Sequence, residues 1–133
     1  MGHDERAQAA GVVARLERAL QLYGGPFLVG EQGSWVLFPR ERLRSLYLRT
    51  VTVLGRHWQA VGSWERAITT YEMGLAVDDL VEEFYQRLIC CYQQQGRRAD
   101  ALAVYSRCRE TLAAVLEVEP SPDTERLFRQ LRA

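Results

Sequence analysis

Between Val51 and Tyr105 the chain states nearly the same pattern twice. Leu54 is answered by Leu88, Trp58 by Tyr92, Gly62 by Gly96, Ala67 by Ala101 and Tyr71 by Tyr105, and each pair is 34 residues apart. A period of that length is one supersecondary unit that cannot bury its apolar face alone and must stack on a copy of itself. The spacing within each copy alternates small and large side chains. Small residues let two antiparallel helices approach, and large ones fill the space between them.

The first copy reads Val51-x2-Leu54-Gly55-x2-Trp58, then Ala67-x3-Tyr71; the second reads Tyr85-x2-Leu88-Ile89-x2-Tyr92, then Ala101-x3-Tyr105. This resembles a degenerate pair of tetratricopeptide repeats. The opening Trp of that motif is Val51 or Tyr85, its closing Pro is Asp79 or Ala113, and Ile89 stands where a small residue belongs. The expected fold is all-α: antiparallel helix pairs in a tetratricopeptide-like right-handed superhelix of about six helices, with no strand.

At 133 residues the chain is long enough for one domain with a real core. Its 17 basic and 17 acidic residues leave a formal net charge of +0. That argues against direct contact with DNA or with an anionic membrane, both of which rely on excess positive charge. All the basic residues are Arg and none is Lys, which reads as a coding bias of the source. No apolar run reaches the length of a membrane span, and the acidic start is unlike a signal peptide. Three cysteines, two of them adjacent, do not make a disulfide framework. A reducing, cytoplasmic setting is expected.

In chain order, Val12, Leu16, Ala19, Leu20 and Tyr23 predict a helix over 5–23 that stops at Gly24-Gly25-Pro26. An apolar loop follows, with a short helical turn near Trp35 left open. Its Phe27, Trp35 and Phe38 either pack on the helices or form a docking patch. Leu43, Leu46, Tyr47, Val51, Leu54 and Trp58 give the stripe of a helix over about 40–61. Ser63 is expected to cap a helix over 64–77, and Asp78-Asp79 to open one over 80–95. A return helix over 98–116 carries Ala101, Leu102, Tyr105, Leu112 and Leu116. Ser121 as N-cap with Pro122 behind it starts a last short helix, whose Leu127, Phe128 and Leu131 cap the open end of the stack. The expected organisation is one domain over 1–133: an N-terminal helix and apolar loop at 1–39, two helix pairs at 40–116 and a capping helix at 117–133.

Three flanking stretches point the same way: Leu22-Tyr23-x-Gly25-Pro26-Phe27-Leu28; Trp35 with Glu41-Arg42-Leu43-Arg44-x2-Tyr47; and Val118-Glu119-Pro120-Ser121-Pro122-Asp123-Thr124. With the two repeats, they resemble the bacterial transcriptional activator domain of regulators of the antibiotic regulatory protein type. The resemblance covers roughly residues 12–133. One departure is Glu117, where that family commonly ends the preceding helix with Gly; without it the usual left-handed cap is less favourable. The resemblance implies control of transcription through protein contacts. The family's DNA-binding domain would lie upstream, and these residues supply no basic recognition helix. The chain is therefore expected to be an excised effector domain or a free-standing relative of one. A helical-repeat adaptor outside transcription is the alternative.

Catalytic and metal chemistry find little support in the residues. His57 sits beside Trp58 with no triad pattern around it. Cys90 and Cys91 point about 100° apart on a helix and share no recognised zinc spacing with Cys108. No enzyme activity, no metal and no cofactor are expected. The sharper candidate is a concave face lined by the first helix of each pair: Arg49, Thr52, Arg56 and Gln59 from the first copy, and Glu83, Gln86, Cys90 and Gln93 from the second. Arg49, Thr52, Arg56 and Gln59 follow i, i+3, i+7, i+10, one face of a helix. The functional reading is a polar groove for an extended or helical partner segment, with the arginines favouring a carboxylate; the plain reading is a solvated face. The expected partner is a protein or an adjacent domain, and two exposed ends leave a homodimer open.

Overall fold

The computed structural model describes residues 2–23 and 37–133. Among the described residues there are six helices and no strand: α1 (Gly2–Tyr23), α2 (Leu37–Ala60), α3 (Trp64–Val77), α4 (Glu82–Gln94), α5 (Arg98–Leu116) and α6 (Pro122–Arg132). Each of α2 to α5 packs on the next, α1 lies on α2, and α6 sits against α5 and α4. The chain thus adopts the all-α array of helix pairs that its repeat implies.

The echoed glycines account for the period. Gly62 has φ +76° and Gly96 φ +69°, the left-handed region that glycine enters without strain. Gly62 N–H donates to Gln59 O at 3.1 Å and Ser63 N–H to Trp58 O at 2.8 Å; Gly96 N–H donates to Gln93 O at 3.0 Å and Arg97 N–H to Tyr92 O at 2.8 Å. These crossed bonds are Schellman closures, which satisfy the last carbonyls of a helix and reverse the chain. A side chain at either glycine would meet nothing within 4 Å, so the requirement lies in the backbone dihedral and not in space.

The close approach within the first pair depends on two other small residues. The Tyr71 ring lies where a Cβ at position 55 would be, and a Cβ at position 74 would stand 2.6 Å from Phe84 Cε2 and 2.9 Å from Val51 Cγ1. Tyr71 therefore packs closely on α2, with its hydroxyl donating to Gln59 Oε1 at 2.6 Å. In the second pair Ile89, fully buried, takes the place of Gly55. The equivalent ring, Tyr105, is turned to α6 instead: it stacks on Phe128 with centroids 4.1 Å apart and donates to Glu125 Oε1 at 2.6 Å.

One core runs through the array. It comprises Tyr47, Val51, Leu54 and Trp58 of α2, Ala67, Ile68, Tyr71 and Leu75 of α3, Phe84, Tyr85, Leu88, Ile89 and Cys91 of α4, and Ala101, Val104, Tyr105, Cys108 and Leu112 of α5, closed by Leu20 and Leu131. Fully burying each large apolar side chain is worth about 1.5–3 kcal/mol. Leu127 and Phe128 pack on it partly buried, beside Leu131. Three residues expected in the apolar stripes, Val12, Leu46 and Leu116, are instead about half exposed. They sit at the edge of their stripes, where the helix turns its flank to solvent.

Several local expectations are corrected. α2 begins at Leu37, so Pro39 lies in its first turn, where its missing N–H has no helical partner to lose. Ser63 holds the N-cap position of α3 without a side-chain cap bond. Asp78 does not open α4: its Oδ1 accepts the Leu80 N–H at 3.0 Å in a local turn. α4 starts later, with Glu82 and Glu83 placing charge in its first turn. Phe27, Trp35 and the helical turn near Trp35 lie outside the described residues, as does the side chain of Phe38. Glu117 adopts the left-handed cap despite its side chain, with φ +56° and ψ 36°. Its N–H returns to Ala113 O at 3.2 Å, and Val118 N–H reaches Leu112 O at 3.4 Å.

A left-handed non-glycine residue costs about 1–2 kcal/mol. Glu117→Gly is therefore expected to raise stability by about 1 kcal/mol, and Gly96→Ala to lower it by about as much, read as shifts of the urea midpoint. Gly74→Ala is expected to destabilise by about 1–3 kcal/mol through overpacking against Phe84 and Val51, despite the better helix propensity of Ala. Calorimetry would show the Gly74→Ala loss as a lower Tm.

Candidate functional site

The inner helices α2 and α4 bring most of the expected groove residues into defined surroundings. Arg56 crosses from α2 to α4 and donates to Glu83 Oε1 at 2.9 Å. Arg87, one turn along α4, donates to the same oxygen at 3.5 Å. Arg49 is exposed on the same face of α2. Thr52 bonds back to Leu48 O at 3.1 Å along its own helix. Gln59 accepts the Tyr71 hydroxyl, so that side chain helps fix the first pair. Gln93 and Cys90 are half-buried.

Gln86 belongs to a polar latch that the residue pattern did not signal. Its Nε2 donates to Thr124 Oγ1 at 2.9 Å and to Ser121 Oγ at 3.5 Å. Beside it Glu82 Oε2 accepts the Ser121 N–H at 2.8 Å and the Thr124 hydroxyl. Ser121 Oγ in turn caps α6 by accepting the Thr124 N–H. Thr124 is fully buried, yet its hydroxyl is bonded on both sides. The Ser-Pro-x-Thr segment thus docks on α4 through residues 35 to 42 positions away, a separation no local motif encodes. Burial raises the Glu82 carboxyl, but hydrogen bonds from Thr124 and Ser121 outweigh it and hold the group below its ordinary value.

Between α4 and α6 lies an open cleft of about 590 Å³, lined in part by Glu83, Arg87, Arg126 and Leu127. Arg126 pairs there with Asp123 at 3.3 Å. Elsewhere the arginines brace the helices. Arg66 covers the Trp58 ring at 4.9 Å and Arg97 the Tyr92 ring at 4.7 Å, so the echoed aromatics share the same kind of lid. His57 packs edge-on against Trp58, with centroids 4.8 Å apart. Cys91 and Cys108 are buried, and burial pushes both thiols up to about 12, far from the thiolate form that nucleophilic chemistry needs. Among the described residues no group of three His, Cys, Asp or Glu is placed to hold a metal ion, and no helix is long and apolar enough to cross a membrane.

The sequence profile of the bacterial transcriptional activator domain matches residues 2–132. The chain belongs to that family. Two regulatory proteins named AfsR, from Streptomyces coelicolor (strain ATCC BAA-471 / A3(2) / M145) and Streptomyces griseus, are similar to it. They are 30% identical over 131 residues and 32% identical over 132, each match covering 96% of this chain and 13% of the relative. The chain thus spans about an eighth of the length of those relatives. No solved structure matches it significantly. A regulatory role in transcription follows for this bacterial transcriptional activator domain from its family.

The latch makes a pH-dependent expectation. A carboxyl whose pKa is lowered on folding contributes stability that is complete above its unfolded value, near 4.5, and fades as pH falls through the lower folded value. Acid should therefore loosen α6 first. In a Glu82→Gln variant this part of the acid sensitivity should vanish. Thr124→Val, which strips the half-buried Glu82 carboxylate of a donor and leaves Gln86 without its acceptor, should cost about 1–3 kcal/mol at neutral pH. Urea unfolding at a series of pH values checks both.

Proposed function

We propose that this chain is a non-catalytic effector domain through which a bacterial transcriptional regulator contacts another protein, or a neighbouring domain of its own polypeptide, in the cytoplasm. It acts by binding alone, and its groove residues Arg49, Thr52, Arg56, Gln59, Glu83, Gln86 and Gln93 border the contact. The observation that carries this reading is the Arg56–Glu83 pair, which joins α2 and α4 across one open polar face. Polar, partly exposed guanidiniums suit recognition of a carboxylate more than formation of a core. Gln59 and Gln86 support that face from beneath, since their side chains already bond to Tyr71 and Thr124. DNA reading falls to other parts of such a regulator, because a chain of net charge +0 offers no broad basic field.

The test is a promoter reporter with the chain expressed in its native reading frame. Arg49→Ala combined with Arg56→Ala is expected to lower reporter output about fivefold or more at unchanged protein level, the scale of losing one or two interfacial ion pairs. Unchanged output would remove the groove from the mechanism. Sequence-specific DNA binding by this domain alone in a gel shift would overturn the reading as a whole.

A further inference from the structure

We propose that the cleft between α4 and α6 receives an acidic segment of a partner protein, and that Glu83 is an internal counter-ion which that segment displaces. The inference rests on the groove reading and adds to it the chemistry of the partner and a built-in competitor for it. Two guanidiniums from different helices, Arg56 of α2 and Arg87 of α4, converge on the single oxygen Oε1 of Glu83. A guanidinium has five N–H donors in a planar fork matched to both oxygens of a carboxylate. Two forks sharing one oxygen are far from saturated.

Across the cleft Arg126 is paired, among the described residues, with its helix neighbour Asp123, at a site where both side chains are well exposed. Arg87 and Arg126 line the cleft together with Glu83 and Asp123, and Arg56 reaches it from α2 through Glu83, so three guanidiniums share two carboxylates there. Leu127, partly buried in the same wall, offers an apolar contact beside the charges.

Displacement is easy on energetic grounds. The side chain of Arg56 is 57% exposed and that of Glu83 39%, and exposed pairs of this kind are weakly held. An incoming carboxylate can make a bidentate contact that Glu83, fixed in the first turn of its helix, does not make. A nucleic-acid backbone shares the acceptor chemistry, but it carries charge every ~1.7 Å along a duplex and would meet Glu83 and Asp123 as well as the arginines. A peptide with spaced carboxylates avoids that clash, so a protein segment is the favoured occupant.

The test is fluorescence anisotropy of the chain with a labelled synthetic peptide that places Glu and Leu on one helical face. The same peptide with Lys for Glu, and a single-stranded oligothymidylate, serve as competitors. The Glu peptide is expected to bind in a salt-sensitive manner. Glu83→Gln should tighten binding about threefold, and Arg87→Gln should weaken it by about as much, on the scale of one exposed ion pair. Circular dichroism on each variant checks that the helices persist; Glu83→Ser gives the same test should Glu83→Gln lose them. Absence of Glu-peptide binding, equal displacement by the Lys peptide, or weaker or unchanged binding by Glu83→Gln would each overturn the counter-ion assignment. Stronger displacement by oligothymidylate would assign the cleft to nucleic acid and overturn it too. The reporter response to Arg49→Ala with Arg56→Ala is read separately, so the groove reading and this refinement can fail independently.

Discussion

Two helices joined by a tight turn can approach closely only where one of them presents no side chain to the other's rings. In this domain that constraint falls on Gly55 and Gly74. The first lets Tyr71 lie on α2, and the second makes room for Phe84 of the following helix. The rings of Tyr71 and Phe84 then meet at 5.7 Å, so the seam within the first pair continues into the seam between pairs. Everything further along is laid on that contact. The turns at Gly62 and Gly96 fix where each helix reverses, but it is the missing side chains within the helices that fix how near they come.

The second constraint is polar. α6 buries few large apolar side chains, and Leu131 is the one apolar residue of that helix in the fully buried core. Its attachment therefore leans on Glu82, Gln86, Ser121 and Thr124. A buried network of this kind is favourable only when every member is satisfied, and among the described residues no buried side-chain polar atom lacks a partner. The domain thus has a hydrophobic half, directed by glycines, and a hydrogen-bonded end whose geometry is more exacting and whose hold depends on ionisation.

The repeat exposed the helix pairs, their turns and most of the core, because periodic burial and glycine caps are local properties of a sequence. It could not expose the latch, whose partners lie about forty positions apart. It also misjudged Asp78, since an aspartate that bonds to the backbone two residues on and one that caps a helix look alike in a string of letters. At Glu117 the composition argued against a left-handed cap that the chain nevertheless adopts, because closure by Ala113 and Leu112 carbonyls sets the dihedral. That Arg49, Thr52, Arg56 and Gln59 share one helix was legible from spacing; the convergence of two arginines on one oxygen of Glu83 was not, because it involves three residues drawn from two helices.

The departure of the second repeat from the first has a bearing on size. With Ile89 filling the place that Gly55 leaves empty, Tyr105 is committed to Phe128 and Glu125, and α6 closes the face on which another helix pair would have stacked. The face shared by α2 and α4 is therefore two helices wide, with α6 as its wall at one end. At about 8–10 Å per helix it measures about 20 Å across, room for about six extended residues at ~3.5 Å each. Under the proposed effector reading, a surface of that breadth would suit a short linear motif, in which one or two side chains carry the recognition.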